Sequence, residues 1–336
     1  MSIVAVHFTL DRRLSGPEGE TVMTDTTLLQ TNARMPEAAA AEAESSVAFS
    51  SVLVGVDGSS TGRDAIALAE RLRAPGGGLT LAHVVLVPAP SYGNFHSTPA
   101  GRDACAMLER ERAATSVSAD LTGMFARSVG PGLQQLSRDC RADLLVVGSR
   151  GRGAMGRLLR GDDTQDSLNR AACAVAVAPH GYAEGSRDIK AIGVAYNGSP
   201  ESKTALAGAR TLATRLGASL TALTVVWPTA ALVWPPGRTP LGGAWAAMTF
   251  EAFEREVGER LSALTGVAGR VVVGPPGDEL LAFADQVDLL VVGSRGHGPL
   301  RRRLFGSTSA DLARRARVPV LVFPHGSRAQ LTRQTQ

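Results

Sequence analysis

The sequence predicts two consecutive α/β domains, each built on a parallel β-sheet that helices cover on both faces. Short runs rich in Val, Leu, Ile and Ala alternate with segments of helical spacing along most of the chain, as is typical of parallel sheets. The segment Asp143–Gly151, DLLVVGSRG, recurs unchanged as Asp288–Gly296, at a spacing of 145 residues. With 336 residues, the chain is long enough for two domains with cores of their own.

The first repeat begins after a leader that is rich in Thr, Glu and Ala. We interpret residues 1–48 as this flexible leader and residues 50–182 as the first domain. A strand at Val52–Val56 leads into Asp57-Gly58-Ser59. The expected elements that follow are a helix at Ser60–Arg73, a strand at Leu79–Val87, a helix near 103–122, a strand near Ala126–Val129, a helix near 132–140, a strand at Leu144–Val147, a helix near 163–171 and a strand at Ala174–Ala178.

The second repeat follows a polar linker at 183–188 and has the same order of elements. A strand at Ile192–Ala195 leads into Asn197-Gly198-Ser199. The expected elements after it are a helix at Pro200–Leu216, a strand at Leu220–Val226, a helix near 248–264, a strand at Val271–Val273, a helix at Asp278–Ala284, a strand at Leu289–Val292, a helix from Ala310 and a strand at Val320–Phe323. We assign residues 189–327 to the second domain and 328–336 to a tail.

The composition is that of a protein with moderate charge and few aromatic residues. Hydrophobic residues make up 44% of the chain, and the formal net charge is +4 at pH 7. No interleaved run of basic and aromatic residues points to nucleic acid, and no apolar run approaches the roughly 18 residues that span a bilayer. Three cysteines without CxxC spacing indicate a reducing compartment. We therefore expect a cytoplasmic protein without nucleic-acid or membrane partners.

The stretch from Asp288 to Ala310 has the features of a phosphate-binding loop. An apolar run is followed by one glycine segment, and a second glycine turn precedes a helical pattern. Glycines let backbone N–H groups approach a ligand, and a helix N-terminus adds free donors and a field that favours anions. The candidate residues in these two turns are Gly293, Ser294, Arg295, Gly296, His297, Gly306, Ser307, Thr308 and Ser309. Because Gly and Ser also form ordinary turns, the prediction depends on the presence of two copies.

Each half begins with a strand followed by Asp-Gly-Ser or Asn-Gly-Ser and has G-x2-G-x9-G near its end. In these features residues 50–326 resemble the universal stress protein family in its tandem form. The resemblance implies a Rossmann-like domain of the adenine nucleotide alpha hydrolase type, with five parallel strands and ATP at their carboxyl ends. It also implies pairing of the last strands, either in a homodimer or between Ala174–Ala178 and Val320–Phe323 of one chain.

In the second half the resemblance places Gly293, Gly296, Gly306 and Ser307 at phosphate positions. Asn197 stands where family members have an aspartate that contacts adenine, and we expect its amide oxygen to accept from the adenine amino group. We expect Thr224 and Val225 to line the base pocket. The corresponding residues of the first half are Asp57, Val84, Gly148, Arg150, Gly151, Gly161 and Thr164.

The first half differs from the family pattern at the phosphate end, because Asp162 and Asp163 follow Gly161. Like charges about 4 Å apart repel by roughly 1–4 kcal/mol. We therefore expect ATP, accompanied by Mg²⁺, to bind mainly in the second half. A bridging Mg²⁺ could restore the first site, because it binds carboxylate and phosphate together.

Three functions are compatible with these observations. The first is an ATP-binding regulator of the stress response, and the second is a nucleotide-free module that dimerises through its last strands. The third is a slow ATPase that phosphorylates itself. The sequence has no G-x4-GK[ST] motif, nucleophile elbow or metal-ligand pair, so we expect no enzymatic activity.

Overall fold

The computed structural model describes residues 49–88, 95–149, 173–185, 188–226, 255, 257–259, 261–294 and 307–324. The first domain contains β1 (Phe49–Gly55), α1 (Ser60–Leu72), β2 (Arg73–Leu86), a 3-10 turn (Phe95–Ser97), α2 (Pro99–Thr115), β3 (Asp120–Ala126), α3 (Val129–Asp139), β4 (Leu144–Gly148), β5 (Ala174–Ala178) and α4 (Tyr182–Gly185). The second contains β6 (Ala191–Ala195), α5 (Pro200–Leu216), β7 (Ser219–Val226), β8 (Ala268–Val273), α6 (Pro276–Ala284), β9 (Leu289–Gly293), α7 (Ser307–Arg315) and β10 (Val320–Phe323).

In the described part of the chain ten strands form one sheet, in the order β3-β2-β1-β4-β5-β10-β9-β6-β7-β8. Within each domain five strands run parallel, which confirms the predicted fold class. The two halves meet where β5 and β10 pair antiparallel, with Val320 opposite Val177 and Val322 opposite Val175. The last strands of the two domains therefore pair within the chain.

The helices on both faces cover a sheet whose central strands are apolar throughout, as expected for a parallel sheet. Successive residues of β4 alternate between the two faces: Leu144 and Val146 pack on the side of α1, and Leu145 and Val147 on the side of α3. Both hydrophobic clusters extend from one domain into the other. In the cluster on the side of α1, the rings of Phe49 from the first domain and Phe323 from the second stack with centroids 6.3 Å apart.

The helices after β1 and β6 begin at serine N-caps. The Ser59 side chain accepts from the Gly62 N–H, and the Ser199 side chain accepts from the Ser202 N–H. Helix α5 ends at Gly217, which has a left-handed backbone (φ 63°). Among the described residues, no helix combines the length and apolarity that crossing a bilayer requires.

Three sequence predictions about the first domain are wrong. The helix predicted near 103–122 ends at Thr115 because Ser116 takes a left-handed conformation (φ 53°) and β3 begins at Asp120. The strand predicted near Ala126–Val129 is therefore displaced, since β3 pairs with β2 from Asp120 to Ala126. Strand β2 begins at Arg73, before the glycines that the sequence places between it and α1.

The short helix α4 begins one residue before the predicted linker and extends into it, which the sequence pattern does not predict. Buried Asp64 of α1 accepts from the Gly181 N–H (2.9 Å) and the Ala183 N–H (2.8 Å), so a distant carboxylate holds the start of α4. The helix predicted near 163–171, the leader 1–48 and the tail lie outside the described residues. Most of the helix predicted near 248–264 is outside them as well; residues 257–259 and 261–262 are helical.

Candidate functional site

The carboxyl ends of the parallel strands lie at one edge of each domain, and several of the described candidate residues lie at or next to these strand ends. A Cβ added at Gly148, the end of β4, would lie 2.3 Å from the Thr61 carbonyl oxygen. A Cβ at Gly293, the end of β9, would lie 2.6 Å from the Glu201 carbonyl oxygen. The first glycine of each predicted phosphate loop thus lets the strand end approach the first turn of α1 or α5, which explains these glycines by packing.

The turns after β1 and β6 have the same geometry. The Asp57 Oδ1 accepts from the Ser59 N–H at 3.1 Å, and the Asn197 Oδ1 accepts from the Ser199 N–H at 3.0 Å. The intervening Gly58 and Gly198 have φ values of 78° and 76°, which favour glycine. Both turns are therefore Asx turns, closed by a side-chain oxygen and a main-chain N–H two residues later.

The residue before each turn is held by a side chain from the neighbouring strand. The His83 Nδ1 lies 2.7 Å from the Val56 carbonyl oxygen, and the Thr224 hydroxyl donates to the Tyr196 carbonyl oxygen at 2.7 Å. Because a carbonyl only accepts, His83 donates from Nδ1 in this contact. His83 is not among the predicted site residues. The match between Leu79–Val85 and Leu220–Val226 nevertheless makes His83 the residue of the first repeat that corresponds to Thr224 in the second.

The two turns differ in the second terminal atom of the side chain that closes them. The Asp57 Oδ2 is buried and has no hydrogen-bond partner among the described residues. In Asn197 the oxygen closes the turn, so the atom in the position of Oδ2 is the amide nitrogen Nδ2. The Asn197 amide oxygen, which we expect to accept from the adenine amino group, already accepts one hydrogen bond in the turn, and its contact with a base stays a prediction.

Three other predicted site residues, Ser294, Val84 and Val225, are buried in the protein core. Ser294 is fully buried and its main-chain N–H donates to the Phe323 carbonyl oxygen at 2.8 Å, so that donor serves β10. Val84 and Val225 pack in the apolar core instead of lining a base pocket, because their side chains point to the opposite face from His83 and Thr224.

Helix α7 begins at Ser307, three residues earlier than the predicted start at Ala310, and Thr308 and Ser309 are buried in its first turn. The other predicted site residues lie outside the described part of the chain, namely Arg150, Gly151, Gly161, Thr164, Arg295, Gly296, His297 and Gly306. Within the described part, no group of three or more His, Cys, Asp or Glu side chains is placed to hold a metal ion.

Comparison with known proteins finds the same family twice along the chain. The model of the universal stress protein family matches residues 48–179 and 188–324. A universal stress protein from Mycolicibacterium smegmatis is 32% identical over 300 residues, which cover 81% of this chain and 96% of that protein. One from Mycobacterium bovis is 34% identical over 199 residues, which cover 57% of this chain and 64% of that relative.

Solved structures match the fold across both domains. A universal stress protein from Archaeoglobus fulgidus has a TM-score of 0.55 at 18% identity, covering 82% of this chain and 96% of its own. A functionally unknown protein from Pseudomonas aeruginosa has a TM-score of 0.52 at 16% identity, covering 86% of this chain and 96% of its own. These structures share the architecture of this chain, and the sequence matches identify it as a member of the universal stress protein family with two Usp domains in tandem.

Proposed function

We propose that this universal stress protein is an ATP-binding regulator that acts by binding instead of catalysis, and that the triphosphate binds mainly in the second domain with Mg²⁺. The observation that carries the proposal is the edge at the carboxyl ends of the strands, where the same Asx turn, serine N-cap and glycine approach occur in both domains. Open α/β sheets place their ligands at this edge.

The buried Asp57 Oδ2 supports adenine as a ligand of the first domain. Among the described residues this acceptor has no donor, and a buried acceptor without a donor costs roughly 1–3 kcal/mol. The exocyclic amino group of adenine would donate to it and remove that cost. The Asp57 Oδ2 would then bind and orient the base, while Oδ1 continues to close the turn.

The sequence of the second glycine turn supports placing the triphosphate in the second domain. Gly306 precedes Ser307, Thr308 and Ser309 there, whereas Gly161 precedes Asp162 and Asp163 in the first domain. Helix α7 begins at Ser307, and the first turn of a helix offers main-chain N–H groups and a favourable field to an anion. Mg²⁺ would neutralise part of the triphosphate charge, and its remaining ligands would be phosphate oxygens and water.

Regulation by the nucleotide requires that it bind two arrangements of the protein with different affinities. The pairing of β5 with β10 joins the two domains through the strands that follow the two predicted phosphate loops. Each predicted loop therefore precedes, along the chain, a strand of the seam, and we propose that nucleotide binding at the loop changes this pairing. We propose that a partner protein binds the two resulting arrangements with different affinities.

The proposal is tested first by denaturing purified protein and identifying any released nucleotide, and then by titrating ATP with Mg²⁺ by calorimetry. Ser307→Asp should weaken ATP binding at least about fivefold, because it adds a carboxylate next to phosphate. Ser262→Asp, which changes an exposed serine away from this edge, is the matched control. Asp162→Ser should strengthen binding in the first domain.

Two outcomes would contradict the proposal. Unchanged ATP affinity in Ser307→Asp would remove the second-domain assignment. Failure of the wild-type protein to bind any adenine nucleotide at millimolar concentration would favour a nucleotide-free interaction module, for which the β5–β10 pairing is the specific supporting observation.

A further inference from the structure

The turns that follow β1 and β6 share their geometry but present opposite hydrogen-bonding groups. In each, the first side-chain oxygen accepts from the N–H two residues later, at 3.1 Å in Asp57 and 3.0 Å in Asn197. The carbonyl before each turn accepts a hydrogen bond of 2.7 Å from the neighbouring strand. The remaining terminal atoms, Oδ2 of Asp57 and Nδ2 of Asn197, therefore occupy equivalent positions.

Hydrogen-bonding chemistry determines which terminal atom of Asn197 is oxygen and which is nitrogen. A main-chain N–H needs an acceptor, and the carboxamide has only one, so the Ser199 N–H fixes which atom of Asn197 is oxygen. The first domain consequently offers an acceptor at this position and the second offers a donor. A carboxamide nitrogen carries two N–H groups, so a contact with the protein leaves it able to donate to a base.

We infer that the second domain recognises the base of a 6-oxopurine nucleotide, the class of inosine and guanosine triphosphates, at least as well as that of ATP. The exocyclic amino group of adenine matches the Asp57 acceptor but opposes the Asn197 donor. A 6-oxo group accepts and therefore has the reverse preference. This inference rests on the proposed function and specifies only which base each domain prefers.

Inosine triphosphate is the appropriate probe because it differs from ATP at the group that faces these side chains and lacks the 2-amino group of guanine. Asn197→Asp and Asp57→Asn exchange the two groups while keeping the oxygen that closes each turn. The presence of aspartate in one turn and asparagine in the other indicates that the fold accommodates both.

The experiment measures the ratio of dissociation constants for ATP and inosine triphosphate, each with Mg²⁺, on the full chain. In the second domain, Asn197→Asp should shift this ratio about tenfold towards ATP, because it replaces a donor by an acceptor for the exocyclic amino group of adenine. Asp57→Asn should shift the ratio of the first domain about tenfold the other way. Thermal unfolding of each variant verifies that it is folded, and if one variant fails to fold the other carries the test.

The outcomes distinguish this inference from the function on which it rests. If wild-type protein binds neither nucleotide, the proposed function fails and the inference fails with it. If wild-type protein binds ATP and Asn197→Asp leaves the ratio unchanged, nucleotide binding stands and the base assignment is overturned. An unchanged ratio in Asp57→Asn would overturn the same assignment from the first domain.

Discussion

The guanidinium group of Arg215 in the second domain caps the helix that ends at Leu72 in the first. Its Nη2 donates to the Leu72 carbonyl oxygen at 2.8 Å and to the Arg71 carbonyl oxygen at 3.2 Å, and its Nη1 donates to the Arg73 carbonyl oxygen. The last carbonyls of α1 have no partners within their own helix, and a cation is favourable there. Burial lowers the pKa of Arg215 from its ordinary value, yet an arginine side chain stays charged at neutral pH.

Replacing Arg215 with Ala should lower the free energy of unfolding by about 1–3 kcal/mol, because three carbonyl oxygens lose a charged donor. Arg215→Lys should recover part of this loss, since it retains the cation without the planar fork. Urea denaturation followed by circular dichroism measures both effects. Lys203→Ala, an exposed change on the same helix α5, should have no comparable effect. Equal stability of Arg215→Ala and Lys203→Ala would show that the cap contributes nothing.

The repeated aspartate before β4 and β9 should be a structural residue in both domains. The Asp143 carboxylate accepts from the Ser50 N–H at 2.8 Å, and Asp288 accepts from the Lys190 N–H at 2.8 Å and the Ala191 N–H at 2.9 Å. Each aspartate thus holds the start of the neighbouring strand. Asp143→Ala and Asp288→Ala should each cost about 1–3 kcal/mol in thermal or urea unfolding.

Asp139→Ala is the control for these aspartates, because Asp139 is exposed and its carboxylate accepts a hydrogen bond from Gln135 of its own helix. We expect it to change stability by less than about 0.5 kcal/mol. If Asp143→Ala were no more destabilising than Asp139→Ala, the repeated aspartate would need an explanation other than stability.

The glycine at the end of β4 should not tolerate a side chain. A Cβ at Gly148 would approach the Thr61 main chain at 2.3 Å, so Gly148→Ala requires that α1 move away from the sheet. We expect a loss of roughly 1–3 kcal/mol, measured by thermal unfolding. Gly277→Ala, which meets nothing within 4 Å at the start of α6, should be neutral or stabilising by up to about 1 kcal/mol. A Gly148→Ala protein as stable as the wild type would contradict this close approach of strand and helix.

Stability should fall at alkaline pH in a way that depends on Cys173. Burial raises the pKa of this thiol to about 12, whereas an unfolded cysteine titrates near 9. Between these values the unfolded chain loses the proton and the folded chain keeps it, so unfolding becomes easier as the pH rises. From pH 8 to pH 10, wild-type protein should lose about 1.3 kcal/mol more than Cys173→Ala. Urea denaturation at each pH measures the free energy of unfolding. If it fell equally with pH in the wild type and in Cys173→Ala, this coupling would be refuted.

Most of the fold is predictable from the sequence because the buried strands are short apolar runs and the second copy confirms the order of the first. The end of α2 is not predictable in this way, because helical spacing continues past Thr115, while Ser116 reverses the backbone and pairing with β2 determines where β3 lies. The start of helix α4 is held by hydrogen bonds to Asp64, a residue far away in the sequence. No local sequence pattern therefore predicts this helix.

The candidate site is predictable in position but less so in chemistry. The Asp57-Gly58-Ser59 and Asn197-Gly198-Ser199 turns are visible in the sequence, since each follows a strand and precedes a helix. Which atom of Asn197 the turn uses depends on a hydrogen bond that spacing alone does not give. The hydrogen bond of His83 with the Val56 carbonyl oxygen likewise depends on the pairing of β2 with β1, which the sequence alone does not give.

The seam between β5 and β10 has an evolutionary consequence. When two identical subunits associate through their last strands, every substitution appears twice, and both pockets change together. Here the two halves are joined covalently and meet along that seam, so a codon change alters one half alone. The two halves of the tandem chain can therefore diverge in sequence separately, without losing the shared framework.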